Sequence, residues 1–203
     1  MPENSPLKIQ VIVGSTREGR FSEKPARWVA ERLAERGDME VEVVDLRDYD
    51  LPFFEQAAPP SLWDGEHPSE EIARWARKVE AADGYVVVTP EYNHGYSAVL
   101  KNALDHAFPE WHRKPIAFVS WGNVGGARAV EQLREVAIEL EMAPIRHSVH
   151  IMPEVLIPGL QSDYDPALFE PNEAKLEALG EDLVWWARVL REGRTREQEP
   201  VAA

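Results

Sequence analysis

The sequence contains no cysteine. This absence excludes a thiol nucleophile, a disulfide framework, a zinc–thiolate site and an iron–sulfur cluster. The chain also holds no apolar run long enough to cross a bilayer, and residues 1–7 lack the apolar core of a signal peptide. These absences lead us to expect a cytoplasmic protein with no membrane partner.

Basic residues are outnumbered by acidic ones, because 22 lysines and arginines stand against 36 aspartates and glutamates, for a formal net charge of -14 at pH 7. A surface of that sign repels nucleic acid, so we expect no nucleic-acid partner. The field of the whole protein also opposes the binding of any phosphate-bearing ligand. Such a ligand therefore needs a local cluster of hydrogen-bond donors and cations.

Metal-site and hydrolase motifs are missing as well. Ser97 and Ser120 lack the G-x-S-x-G context of a hydrolase nucleophile. The histidines form no H-x-x-x-H pair and no nearby carboxylates complete a ligand shell, so we predict no metal site. The six histidines are His67, His94, His106, His112, His147 and His150.

Short β-rich runs alternate with helical patterns along the chain. The runs cover residues 8–13, 41–45, 85–89, 115–120 and 145–151. This alternation is typical of a doubly wound parallel sheet, and the length of 203 residues suits one domain. We predict an α/β fold over residues 1–190, with one five-stranded parallel sheet and helices on both faces, followed by a frayed tail over residues 191–203. Residues 48–68 form a long connection that is a candidate active-site flap.

Three distinctive loops follow predicted strands, at residues 14–22, 90–97 and 121–126. Ligands of open parallel sheets bind outside the carboxyl ends of the strands, so we expect these loops to meet at one edge. The first loop supplies hydroxyl groups and two arginines, Arg17 and Arg20, and leads into a helix whose free N–H groups favour an anion. It has neither the P-loop ending nor the G-x-G-x-x-G pattern. The loop therefore indicates a phosphate cradle or, alternatively, a polar turn with solvated arginines.

The second and third loops suit a planar ligand. Tyr92 and Tyr96 offer flat apolar surfaces with polar tips. Three glycines within residues 122–126 allow backbone amides to approach a ligand closely. The alternatives are tyrosines that pack on the neighbouring helix and a flexible connection before the next helix.

Together these loops resemble the NAD(P)H-dependent FMN reductase family of flavodoxin-like flavoproteins. The resemblance rests on Gly-Ser-Thr-Arg at residues 14–17, Pro-Glu-Tyr-Asn at 90–93 with Leu-Lys-Asn-Ala-Leu-Asp at 100–105, and Val-Gly-Gly-Ala-Arg-Ala at 124–129. These stretches follow the family's order and spacing, and the similarity covers roughly residues 8–151. It implies a flavodoxin-like fold, FMN as the cofactor and NADPH or NADH as the co-substrate.

The resemblance also assigns roles residue by residue. The FMN phosphate would be held by Ser15, Arg17, Arg20, Phe21 and Ser22. The flavin ring would be contacted, largely through backbone atoms, by Pro90, Glu91, Tyr92 and Asn93, and its pyrimidine side would be lined by Gly122, Asn123 and Gly125. No catalytic side chain is predicted, because the flavin carries the chemistry.

The implied activity is hydride transfer from NAD(P)H to bound FMN, followed by electron transfer to a small acceptor such as a flavin, a quinone, an azo compound or a metal oxyanion. The alternatives are a flavodoxin-like electron carrier and a flavin-binding protein without NAD(P)H reductase activity. The resemblance further implies a homodimer or homotetramer, with residues 98–108 and the segment around Trp111 as candidates for the subunit boundary.

Overall fold

The computed structural model describes residues 5–63 and 65–198. These residues form one sheet of five parallel strands in the order β2-β1-β3-β4-β5. The strands are β1 (Leu7–Val13), β2 (Met39–Asp45), β3 (Gly84–Pro90), β4 (Pro115–Trp121) and β5 (Ala143–Ile151). The predicted fold class is confirmed, and this strand order is that of flavodoxin-like proteins.

The helices are α1 (Glu23–Ala34), α2 (Glu70–Glu80), α3 (Ala98–Asp105), α4 (Ala127–Glu139), α5 (Pro153–Gln161) and α6 (Glu173–Gln198). One face of the sheet packs against α1 and α6, where the rings of Trp28 and Phe169 stack with centroids 4.8 Å apart. The other face packs against α2, α3 and α4, around Trp75 and Trp111. Strands β3 and β4 are buried along their whole length, as continuous apolar runs in a doubly covered parallel sheet should be.

Two segments differ from the sequence-based expectation. Helix α5 was not predicted, because Pro158 and Gly159 interrupt its apolar periodicity. The tail expected to fray from residue 191 is instead helical as far as Gln198. Arg191 donates to the carbonyl oxygen of Ser5 at 3.1 Å, and Arg194 pairs with the Asp83 carboxylate at 3.1 Å, so a hydrogen bond and an ion pair hold the end of the helix beside the starts of β1 and β3. The remainder of that predicted tail, residues 199–203, lies outside the described residues.

The region proposed as a subunit boundary also needs correction. Helix α3 ends at Asp105 rather than continuing to Phe108. The side chain of Trp111 is fully buried, and its indole N–H donates to the carbonyl oxygen of Leu104 at 3.2 Å. The Trp111 ring is therefore part of the core and is not available to a second subunit.

The carboxyl ends of β1, β3 and β4 lie side by side. Val13 pairs with Val88, and Pro90 pairs with Trp121. The three loops that follow these strands therefore start at one edge of the sheet, as the topology predicts. Among the described residues, no helix is long and apolar enough to cross a membrane.

Candidate cofactor site

The first loop, residues 14–22, has unoccupied hydrogen-bond donors. Within the described part of the chain, the backbone amides of residues 15–20 donate no hydrogen bond of normal geometry to a backbone carbonyl. Ser22 is fully buried at the start of α1, and its Oγ has no hydrogen-bond partner among the described residues. Buried polar atoms in folded proteins are nearly always satisfied, so an unpartnered hydroxyl beside free amides indicates a place for an anion.

Arg17 is the exposed cation of this loop. Its guanidinium lies over the ring of Tyr92, with Cζ 5.4 Å from the ring centroid. The stacked position leaves the N–H groups of the guanidinium free to bind a ligand at the edge of the sheet.

Arg20 is occupied by the protein itself. Its side chain is only 2% exposed and is held by both carboxylate oxygens of Asp45, with Nη1 2.8 Å from Oδ1. It also donates to Glu23 at 3.0 Å and to the carbonyl oxygen of Ser15. Burial opposes the ionised form of Asp45, but hydrogen bonds from Arg20 and from the Arg47 amide outweigh it and lower the pKa of Asp45. Arg20 thus links the first loop to Asp45, the last residue of β2.

Arg47 is a second brace that sequence reasoning missed. Its guanidinium donates to the carbonyl oxygen of Thr16 at 3.2 Å and to that of Arg17, and it pairs with Glu23 at 3.2 Å. These bonds turn the carbonyl groups of the first loop toward β2, which leaves its amides free for a ligand. No local motif identifies Arg47, because its role depends on contacts with residues about 30 positions earlier in the chain.

Phe21 is a core residue. Its ring packs edge-on against that of Trp121, with centroids 5.4 Å apart, and is 5% exposed. Its side chain is therefore not available to a ligand, and any contact it makes is through its backbone. The pair joins the first loop to the end of β4.

The second loop begins with Pro90 and Glu91 and turns sharply. Tyr92 and Gly95 exchange backbone hydrogen bonds of 2.8 and 3.0 Å. The two residues between them, Asn93 and His94, have φ angles of 50° and 72°, the pattern of a type I′ turn. Both are exposed at the edge of the sheet, and we call residues 92–95 the ring hairpin.

Glu91 connects the second and third loops. Its amide donates to the carbonyl oxygen of Trp121 at 2.9 Å. Its side-chain carboxylate is 4% exposed, accepts the backbone N–H of Arg128 at 3.2 Å and pairs with the Arg128 guanidinium. The carboxylate therefore caps the first turn of α4, which has no cap from its own Gly126.

The third loop is a compact turn in which two glycines are sterically required. A Cβ on Gly125 would lie 2.7 Å from Cβ of His150, and one on Gly126 would lie 2.6 Å from Cβ of Ser120. Gly122 and Asn123 lie at the outer side of the turn, and Asn123 is exposed. A Cβ on Gly122 would lie 3.2 Å from Cβ of Glu91, so the glycine allows this loop to approach the residue that precedes the ring hairpin.

Comparison with known proteins shows the family to which this chain belongs. Residues 7–155 match the family model of NADPH-dependent FMN reductases. An NAD(P)H-dependent FMN reductase of Schizosaccharomyces pombe is 37% identical over 163 residues, which cover 79% of this chain and 80% of that protein. The chain belongs to the NADPH-dependent FMN reductase family. It is thus an FMN-dependent, NAD(P)H-dependent oxidoreductase.

Two further proteins that are similar to this chain show which activities occur among its relatives. A 2-hydroxy-1,4-benzoquinone reductase of Burkholderia sp. is 36% identical over 144 residues, covering 67% of this chain and 73% of that protein. Among solved structures, the flavoenzyme NAD(P)H:(acceptor) oxidoreductase FerB of Paracoccus denitrificans matches with a TM-score of 0.66 and 26% identity, covering 89% of this chain and 97% of that one.

The residues present fit FMN. The free amides of the first loop, Arg17 and the unpartnered Ser22 hydroxyl provide donors for a phosphate in a protein whose overall charge is -14. The ring hairpin and the third loop, residues 121–126, which we call the glycine turn, provide backbone for a planar heteroaromatic ring at the exposed residues Asn93, His94 and Asn123. Among the described residues, no group of three or more histidine, aspartate or glutamate side chains could hold a metal ion.

Proposed function

We propose that this enzyme holds FMN between the first loop and the ring hairpin and passes electrons from NAD(P)H to a small quinone-like acceptor. The observation that carries the proposal is the set of free amides at residues 15–20 beside the unpartnered Ser22 hydroxyl. Arg17, Glu18 and Gly19 are exposed, so a ligand can reach this part of the loop from solvent. In a protein with a net charge of -14, these amides supply the local donors that a phosphate dianion needs.

At the phosphate end, we assign direct contacts to Arg17, Ser22 and the backbone of the loop, including that of Phe21. Ser15 is 1% exposed and its Oγ lies 3.0 Å from the Tyr92 hydroxyl. Its hydroxyl therefore orients that of Tyr92, and its backbone amide is the group that would bind the phosphate. Arg20 supplies the loop's shape and a nearby positive charge, because its guanidinium is held by Asp45 and Glu23.

At the ring end, we assign contacts to the backbone of Pro90, Glu91, Tyr92 and Asn93 on one side and of Gly122, Asn123 and Gly125 on the other. The side chains of Glu91 and Tyr92 are held by Arg128 and Ser15, which favours backbone rather than side-chain contact with the ring. Backbone N–H groups fixed by a tight turn are suited to stabilising negative charge that develops on a ligand.

FMN, when bound, supplies the chemistry of accepting hydride from a nicotinamide and donating electrons to a second substrate. The chain's own residues hold the cofactor and leave one side of the site open. We nominate no side chain as acid or base, because hydride transfer itself moves no proton to the protein. The exposed Asn93, His94 and Asn123 would border the nicotinamide and acceptor.

A quinone is the acceptor class we favour, since a relative at 36% identity is a 2-hydroxy-1,4-benzoquinone reductase. We also propose that the protein works in the cytoplasm as a homodimer or homotetramer. Exposed apolar side chains on α3 and the connection before α2 support an interface there; they are Phe53, Leu62 and Val99.

The test is steady-state oxidation of NADPH and of NADH by protein loaded with FMN, with and without 1,4-benzoquinone. We expect nucleotide oxidation that requires both FMN and quinone. FMN binding without nucleotide oxidation would favour the electron-carrier alternative. An absence of FMN binding would contradict the proposed function.

A further inference from the structure

We propose that Arg128 is a positioning residue that holds the ring hairpin and the glycine turn in one fixed arrangement. This inference rests on the proposed function for its catalytic consequence. The arrangement itself follows from contacts among residues of the chain alone.

The first tie joins the second loop to α4. The Glu91 carboxylate accepts the backbone N–H of Arg128 and pairs with its guanidinium, at a position where the carboxylate is almost fully buried. The Arg128 side chain is 34% exposed, so this charge-assisted pair is more shielded from water than a pair of two exposed side chains and is held more firmly. The carboxylate cannot leave without exposing the uncapped end of α4.

The second tie reaches the turn of the hairpin. Nη1 of Arg128 lies 2.7 Å from Nε2 of His94 and donates to it, because the guanidinium cannot accept a hydrogen bond. One turn further along α4, Gln132 Nε2 donates to the carbonyl oxygen of His94 at 2.9 Å. One helix face thus holds both the side chain and the backbone of His94.

These ties act on a backbone that needs support. Asn93 and His94 both occupy the left-handed region, which non-glycine residues adopt at a cost that the surrounding structure must offset. The turn is stabilised by one pair of backbone hydrogen bonds between Tyr92 and Gly95 and by the contacts from α4. Without Arg128, the amides that face the ring would sample several positions instead of one.

The same residue therefore aligns both sides of the ring site. The Glu91 amide bonds to Trp121 at the start of the third loop, while the Glu91 side chain bonds to Arg128 just beyond the end of that loop. Because Arg128 also holds His94, a shift of α4 would move the hairpin and the glycine turn together. Even a small displacement of the backbone donors that bind a cofactor can lower the reaction rate by a large factor.

The test compares R128A, R128K and Q132A with the wild type. Arg146→Ala is the matched control, because Arg146 is exposed on β5 and the change removes the same charge. Hydrogen–deuterium exchange on the full chain without added FMN measures directly how strongly the contacts of Arg128 and Gln132 protect the backbone amides. We expect the amides of Gly95 and of residue 128 to exchange about 10-fold faster or more in R128A, relative to their intrinsic rates, with a smaller increase at Gly95 in Q132A and no change in R146A.

The second readout uses FMN-loaded protein. We expect kcat for NAD(P)H oxidation to fall about 10- to 100-fold in R128A with little change in KM, and R128K to recover part of it, while R146A keeps wild-type values. Unchanged exchange and unchanged kcat in R128A would overturn the inference. If wild-type protein failed to bind FMN, the proposed function would fail on that control alone, and the exchange data would still decide whether Arg128 holds the hairpin.

Discussion

The hydroxyl of Tyr92 lies 3.0 Å from Oγ of Ser15. This hydrogen bond joins the ring hairpin to the first loop across the boundary between β1 and β3, where the strand order of the sheet reverses. The guanidinium of Arg17 covers the same tyrosine ring. The Tyr92 side chain therefore connects the two ends of the proposed FMN site and fixes the distance between them.

Arg17→Ala should weaken FMN binding without unfolding the protein. Loss of a charge-assisted contact to a phosphate costs about 1.5–3 kcal/mol, which corresponds to an increase in Kd of about 10- to 150-fold. The side chain is exposed, so the melting temperature should stay near that of the wild type. Quenching of FMN fluorescence on titration measures the Kd, and Arg27→Ala, on the exposed side of α1, is the matched control. A Kd within about twofold of wild type would refute the phosphate assignment of Arg17.

Asp45→Asn should destabilise the fold in a pH-dependent way. The pKa of Asp45 is held below its ordinary value of 3.8, so ionised Asp45 stabilises the folded state above that pH. Loss of the carboxylate from the nearly buried Arg20 should cost about 1–3 kcal/mol at pH 7.

The difference between wild type and Asp45→Asn should then shrink as the pH falls below 3.8, because the unfolded chain binds a proton at Asp45 there while the folded protein binds one only at its lower pKa. Urea unfolding at pH 7, 5 and 3 measures it. Glu40→Gln, an exposed change on the same strand, should show no comparable effect at any of these pH values. A difference that stays constant across the series would argue against the ion pair with Arg20.

Gly126→Ala and Gly19→Ala form a matched pair. Both glycines have positive φ angles, 77° and 62°, so each substitution should cost about 1–2 kcal/mol of backbone strain. A Cβ at Gly126 would also lie 2.8 Å from the backbone nitrogen of Trp121, whereas a Cβ at Gly19 meets nothing within 4 Å. We expect Gly126→Ala to cost about 1–3 kcal/mol more than Gly19→Ala in chemical denaturation. Equal losses would mean that the third loop can rearrange to accept a side chain.

Because of Lys114, the free energy of unfolding should rise with pH above about pH 8. Its ammonium is buried just before β4, where it donates to the carbonyl oxygens of Val79 and Glu80, and burial lowers its pKa to about 8. Between pH 8 and its ordinary value of 10.5, the folded state has lost this proton while the unfolded state retains it. The free energy of unfolding should therefore increase with pH in that interval, relative to Lys114→Met. Denaturation of both proteins at pH 7.5, 9 and 10 measures the trend, and parallel curves would contradict it.

The parallel sheet and the meeting of three loops could be predicted from the sequence, because they follow from the alternation of buried strands and helices, whereas the flavodoxin-like strand order is implied only by the resemblance to a known family. The partners of individual side chains could not. Arg20 looks like a free cation in the sequence, yet Asp45, 25 positions later, holds it. The capping of α4 by Glu91 likewise spans 37 positions. Such contacts depend on how loops from different strands pack, and no local spacing encodes them.

Helix α5 and the end of α6 illustrate a different difficulty. Pro158 and Gly159 disfavour a helix in isolation, but packing of Val155 and Gly159 against the core overrides that preference. The polar residues after 190 resemble a disordered tail in sequence, yet Arg191 and Arg194 pair with Asp83, just before β3. In both cases tertiary contacts decide the structure against the local pattern.

The most direct test of the account is anaerobic stopped-flow mixing of FMN-loaded protein with NADPH and, separately, with NADH. The visible absorption bands of the flavin should bleach within seconds with at least one nucleotide, and the Arg17→Ala protein, given the same FMN, should bleach in proportion to the smaller amount it binds. Tight FMN binding in which neither nucleotide bleaches the bands would contradict the central claim that this site accepts electrons from NAD(P)H.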